Sequence, residues 1–110
     1  MSLKKRHKKS WPKGLPFSLD LNNETVFNNL KFSAKKNPNQ DAIIFYGNKI
    51  TYSDLFLDVK KIAGFLKREL NLSKGDRVGI IMQNCPQFII AYYAILGINC
   101  VIVPINPMLE

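Results

Sequence analysis

The stretch KGDRVGIIMQNCPQFIIAYYAILGINCVIVPINP, from Lys74 to Pro107, leaves a chain like this few ways to fold. Three apolar pieces are separated by breakers. RVGIIM is short and β-branched and closes at Gln83-Asn84; PQFIIAYYAILG opens on Pro86 and closes on Gly97; CVIV is short again and stops at Pro104. Proline in a first turn and glycine at an end are the punctuation of a helix over 86–97. The flanking runs read as strands, and because they are continuously apolar they suit burial on both faces. The connection from Met82 to Cys100 is long enough for a parallel crossover, which needs about a dozen residues. The stretch therefore predicts strand–helix–strand, right-handed.

The same residues allow one other architecture. Residues 88–105 form an apolar run whose one strongly polar member is Asn99, which by length alone is a membrane-span candidate. The breakers Gly97-Ile98-Asn99, Pro104 and the β-branched CVIV weigh against a spanning helix. Upstream, Thr25 to Lys36 reads as a helix capped by Thr25, with Val26, Leu30 and Ala34 four apart and Phe27 on the same side. Asn37-Pro38 ends it. Ala42 to Tyr52 reads as a hairpin, AIIFY and KITY flanking Gly47-Asn48, with glycine first as in a type II′ turn. Ser53 to Leu72 reads as a longer helix, with Thr51 and Ser53 as cap candidates and a stripe of Leu55, Val59, Ile62, Leu66 and Leu70. Lys74-Gly75-Asp76 turns the chain into the first strand.

Charge divides the chain in two. Sixteen basic and eight acidic residues give a net charge of +8. Lys4, Lys5, Arg6, Lys8, Lys9 and Lys13 precede residue 14 with no acid among them, so the remainder is nearly balanced. The basicity belongs to a tail, which says little about a folded binding surface. Residues 1–23 read as extended or disordered, with Trp11, Leu15, Phe17 and Leu19 as anchors that could lie in grooves of the domain. No aromatic is interleaved with the cations, so a solvated tail is expected rather than a nucleic-acid or anionic-lipid contact. Cys85 and Cys100 belong to no CxxC or Cys/His cluster and read as buried thiols of a reduced, cytoplasmic protein. The sequons Asn23-Glu24-Thr25 and Asn71-Leu72-Ser73 matter only with secretion, and the basic start runs into Trp11, Pro12, Gly14 and Pro16 rather than an apolar leader.

Reactive chemistry is thin. The one histidine, His7, lies in the tail, where nothing rigid would orient it as a base. There is no HExxH, and the six glycines form neither GxGxxG nor GxxxxGK. Asn84, at a strand–helix junction, is the one polar residue where open α/β sheets bind ligands, although capping the helix is its simpler role.

The order of pieces from about Trp11 to Pro107 resembles the amino-terminal end of AMP-forming acyl-CoA synthetases. The residues that carry the resemblance are Lys74-Gly75-Asp76-Arg77-Val78, Asn84 and Pro104-Ile105-Asn106-Pro107, taken in sequence. NCPQFIIAYYA is most similar to the long-chain fatty-acid–CoA ligase branch. The resemblance implies an α/β fold, the N-terminal part of an adenylate-forming large domain: a β-hairpin, amphipathic helices and one βαβ unit in an incomplete sheet. Residues 1–23 would be a basic tail and arm, and residues 24–110 a partial subdomain. It implies attack of a carboxylate on the α-phosphate of ATP, then displacement of AMP by the thiol of CoA, with Mg2+ assisting. The family's phosphate loop, aromatic-acid motif, ribose aspartate and lid lysine do not occur in residues 1–110. No catalytic, cofactor-binding or metal residue is therefore assigned, and ATP, Mg2+ and CoA are expected for the full-length family alone. The expected partners are the remainder of the synthetase or a companion chain, with fatty acid and CoA as substrates. A homo-oligomer and a weak anionic-membrane contact of the tail are compatible with this reading; nucleic acid is not expected. The alternatives are a non-enzymatic module docking through open strand edges or its basic tail, and a single-span membrane protein.

Overall fold

The computed structural model describes residues 3–109; Met1, Ser2 and Glu110 lie outside the described residues. The order is a 3-10 helix (Leu3–Ser10), α1 (Val26–Lys36), β1 (Asp41–Phe45), β2 (Asn48–Thr51), α2 (Tyr52–Arg68), β3 (Arg77–Ile81), α3 (Pro86–Gly97) and β4 (Val101–Ile105). β1 and β2 form an antiparallel pair, and β3 and β4 a parallel pair, each a two-stranded sheet. This is the expected α/β arrangement with an incomplete sheet. Residues 88–105 do not form one spanning helix; they break after Gly97 into a turn and a strand. No helix among the described residues is long and apolar enough to cross a membrane.

Local chemistry sets the helix starts. Thr25 Oγ1 accepts from Asn28 N at 3.1 Å, and Thr51 Oγ1 accepts from Asp54 N at 3.1 Å, each satisfying an amide that the helix leaves unpaired. Pro86 occupies the first position of α3. The apolar face of α1 is Phe27, Leu30 and Ala34; Val26 points to solvent. In α2, Leu55 and Val59 are buried, but Ile62 and Leu70 are exposed, and the helix ends at Arg68. Leu70 leaves the stripe because it lies past the C-cap Glu69, outside the helix. The hairpin turn also differs from expectation. Phe45 pairs with Asn48, so the two loop residues are Tyr46 and Gly47, both at positive φ, as in a type I′ turn. Register, not the position of the glycine, fixes the turn type.

The core has two halves, and one helix reaches both. Leu30, Leu55, Val59 and Ala94 form one cluster, against which Ala42, Ile43 and Ile50 of the hairpin pack. Ile80, Ile95 and Cys100 form the second, beneath the β3–β4 pair. α3 joins the two, with Ala94 in one cluster and Ile95 in the other.

The expectation that β3 and β4 are buried on both faces is corrected. Val78 and Ile80 face α3, while Ile81, Val101, Val103 and Ile105 are exposed at 39–64%. A single crossover helix can cover one face of a parallel pair and no more. β4 also runs past its expected stop: Pro104 lies within the strand, opposite Ile80. Proline lacks the ladder donor, which suits it to an edge position.

The arm is corrected as well. Leu3–Ser10 is a 3-10 helix rather than extended chain. With no neighbouring strand to bond, its backbone closes on itself through i→i+3 turns. Its anchors do not lie in grooves of the body: Trp11, Leu15, Phe17 and Leu19 are 37–80% exposed. The radius of gyration is 17.8 Å, against about 13 Å for a compact domain of this length.

Candidate functional site

The parallel register places Ile81 beside Ile105, so the two segments that leave the strands emerge at one end of the sheet. Met82-Gln83-Asn84 follows β3 and Asn106-Pro107-Met108 follows β4. Together with Phe88, from the first turn of α3, they line an open cleft of 560 Å³. Its position beyond the carboxyl ends of parallel strands is where open α/β sheets place ligands. The Asn106 side chain shapes one wall: its Oδ1 accepts from Met108 N at 2.9 Å, and its carbonyl accepts from Leu109 N at 3.2 Å. An apolar recess of 410 Å³ adjoins the cleft, shares Asn84 and Phe88 with it, and reaches Ile43–Phe45 of the hairpin. A further apolar groove of 470 Å³ runs between α2, β3 and α3, lined by Ile62, Leu66, Ile80 and Ile90.

Asn84, the residue singled out from sequence, lines the cleft and, contrary to its simpler reading, does not cap α3. The cap position is Cys85, which makes no side-chain cap bond. The β-region backbone of Cys85 turns the chain one residue later than the polar residue would have done. Asn84 is thus an exposed amide at the cleft mouth. Gln83 and Asn106 join it there, and sequence reading did not group them. Their signal was available in principle: each lies within three residues of a parallel strand's carboxyl end. Only the pairing of those strands brings them together.

The polar side chains of the cleft are amides. Gln83, Asn84 and Asn106 donate and accept hydrogen bonds, and no titratable side chain lines it. This set does not fit a magnesium–ATP complex. There is no carboxylate for the metal and no lysine or arginine for the phosphates. His7 does not line the cleft, and its ring packs edge-on against Trp11 at 5.6 Å. Among the described residues, no three His, Cys, Asp or Glu side chains gather as a metal site.

The cysteines are both free thiols. Cys100 is buried and its thiol donates to the Ser73 carbonyl at 3.2 Å. Burial pushes this thiol up from its ordinary range and the Asp76 carboxylate adds to the effect, opposed by a backbone hydrogen bond at Asp76. The folded state therefore favours the neutral thiol. Its contribution to stability is complete below the ordinary thiol range and is lost as pH rises through the raised value. Urea midpoints measured from neutral pH into the alkaline range should fall more steeply for the natural chain than for Cys100→Ala. Half-buried Cys85 should react with an aromatic disulfide reagent first, and Cys100 only at the rate of unfolding. Equal rates, or identical pH slopes, would contradict the burial argument.

Comparison with known proteins points the same way as the fold. The family profile described as AMP-binding enzyme matches residues 30–110. Among curated proteins, a long-chain-fatty-acid–CoA ligase of Bacillus subtilis is 41% identical over 98 residues, covering 89% of this chain and 17% of its own length. Its namesake in Haemophilus influenzae is 30% identical over 100 residues, covering 90% and 18%. Among solved structures, Klebsiella oxytoca NpsA in complex with 3-hydroxyanthranilyl-AMSN superposes with a TM-score of 0.77 at 29% identity, over 81% of this chain and 18% of that one. The NpsA N-terminal subdomain gives 0.75 at 30% identity, over 79% and 23%. The chain thus spans less than a quarter of each of these relatives. With the profile matching most of its length, and 79% of the chain superposing on the NpsA N-terminal subdomain, the chain belongs to the AMP-binding enzyme family.

Proposed function

We propose that residues 24–110 are part of the N-terminal subdomain of an ATP-dependent, AMP-forming long-chain fatty-acid–CoA ligase, and that residues 1–23 are an arm appended to it. The observation that carries this reading is the 41% identity to the Bacillus subtilis ligase along 89% of the chain. In the full-length enzyme, a fatty acid would be activated as its adenylate and transferred to CoA in the cytoplasm, with Mg2+ supplied at residues this chain does not contain. Residues 1–110 supply scaffold: a hairpin, packing helices and one sheet layer. The bare face of β3–β4, with Ile81, Val101, Val103 and Ile105 exposed, is apolar surface of the kind another layer covers. The remainder of the synthetase polypeptide, or a companion chain, is the occupant this reading requires.

A hybrid enzyme tests it. Residues 24–110 would replace the matching segment of the Bacillus subtilis relative, and oleoyl-CoA formation would be followed with ATP and CoA. Turnover is expected within roughly tenfold of the parent, a barrier change of about 1.4 kcal/mol. The 110-residue chain alone should release no AMP above the blank. A folded but dead hybrid would overturn the family role, and AMP release by the isolated chain would overturn the scaffold role.

A further inference from the structure

The arm carries its cations and its rings in consecutive blocks of sequence, but the fold brings them together. Trp11 packs edge-on against His7 at 5.6 Å and lies 5.9 Å from Phe17, and Lys8 Nζ sits 5.0 Å over the Phe17 ring. The Trp11 indole N–H donates to the carbonyls of Leu15 and Pro16 at 3.2 and 3.0 Å, folding the chain back on itself. One knob therefore presents Arg6, His7, Lys8 and Lys9 beside Trp11, Leu15 and Phe17, all exposed. Leu19 and Leu21 continue the apolar surface at 80% and 85% exposure. The first acid in the chain is Asp20, and both ion pairs found among the described residues, Lys49–Asp41 and Lys61–Asp58, lie in the body.

We propose that this arm, residues 3–21, docks the protein on an anionic lipid bilayer surface. The chemistry selects that occupant. Cations draw the arm to any polyanion, a nucleic acid included. Nucleic-acid grooves, however, give no use to three exposed leucines. A bilayer interface does: tryptophan and phenylalanine sit at the headgroup level, and aliphatic side chains enter the acyl boundary. The arm stands clear of the core, so the body need not rearrange for the contact.

Trp11 is the chain's one tryptophan and reports directly on its own surroundings. Vesicles of phosphatidylcholine and phosphatidylglycerol in equal parts should shift its emission to the blue and sediment the protein. Pure phosphatidylcholine should do neither, and added salt should weaken the binding. Lys8→Gln with Lys9→Gln should lower partitioning roughly 25-fold, at about fivefold per cation. Leu15→Ser with Leu19→Ser should weaken sedimentation and reduce the shift while leaving the far-ultraviolet circular dichroism unchanged. Equal binding to neutral and anionic vesicles would overturn the proposal, as would no binding at low salt. Binding that survives both sets of substitutions would belong to the bare sheet face, and displacement from vesicles by an equal charge of duplex DNA would assign the arm to nucleic acid; either result also overturns it.

Discussion

Replacing Ile95 by alanine is expected to destabilise the chain by about 2–5 kcal/mol, the range for deleting a buried aliphatic side chain. Ile95 is 2% exposed and packs with Ile80 and Cys100 between α3 and the parallel pair. The loss combines the transfer energy of three carbons with the cavity they leave, and the rigid turn after α3 limits how far the walls can close in. Domains of this size typically have about 5–15 kcal/mol in all. A chain with one sheet face bare should lie toward the lower end, so at the upper end of this cost the Ile95→Ala variant should be substantially unfolded without denaturant. Ile81→Ala is the control: on the bare face, at 64% exposure, it should change stability by less than about 0.5 kcal/mol. Urea unfolding followed by circular dichroism reads both. If the two variants unfold at the same midpoint, the assignment of the core to one face of the sheet is wrong.

Gly97→Ala should cost about 1–3 kcal/mol, against the gain of about 1 kcal/mol that alanine brings to a helix by propensity alone. A Cβ at Gly97 would stand 2.7 and 2.8 Å from two carbons of the Phe27 ring, closer than packed carbon atoms come. That ring lies between α1 and α3 and touches Phe56 at 5.8 Å between centroids, which restricts its retreat. The expected helix terminator at this end is therefore not Gly97. The left-handed residue is Asn99, at φ 60°, with Asn99 N bonded to Leu96 O at 3.0 Å and Cys100 N to Ile95 O at 3.1 Å. These paired bonds are those of a Schellman motif, with asparagine in the position that glycine more often fills. In a Phe27→Ala background the penalty for Gly97→Ala should vanish or reverse. A neutral or stabilising Gly97→Ala in the natural chain would show that the ring moves freely and that close helix approach is not what the glycine serves.

The candidate site was half legible. Asn84 could be found because a polar residue between a β-branched run and a proline-opened helix marks a strand's end. Its role could not, since capping and facing a cleft place the same residue type at the same junction. Gln83 and Asn106 were invisible as a group: they are 23 residues apart, and nothing local says that their strands are neighbours in register. The arm shows the same division. Its charge was evident, but Trp11 and Phe17 fold back toward His7 and Lys8 through hydrogen bonds that no pattern of polarity announces.

The sequence by itself determined the order of the elements from α1 onward, the bounds of α3 from Pro86 to Gly97, the Thr25 cap and the crossover between two parallel strands. Each follows from residues a few positions apart, where backbone geometry and the periods of 2 and 3.6 act directly. Tertiary structure alone decided which sheet face is covered, why Gly97 must be small, which amides share a cleft and where the arm's rings lie. Those outcomes depend on which distant surfaces meet. A single helix has one apolar side to offer, so it could bury only one face of the strands it joins.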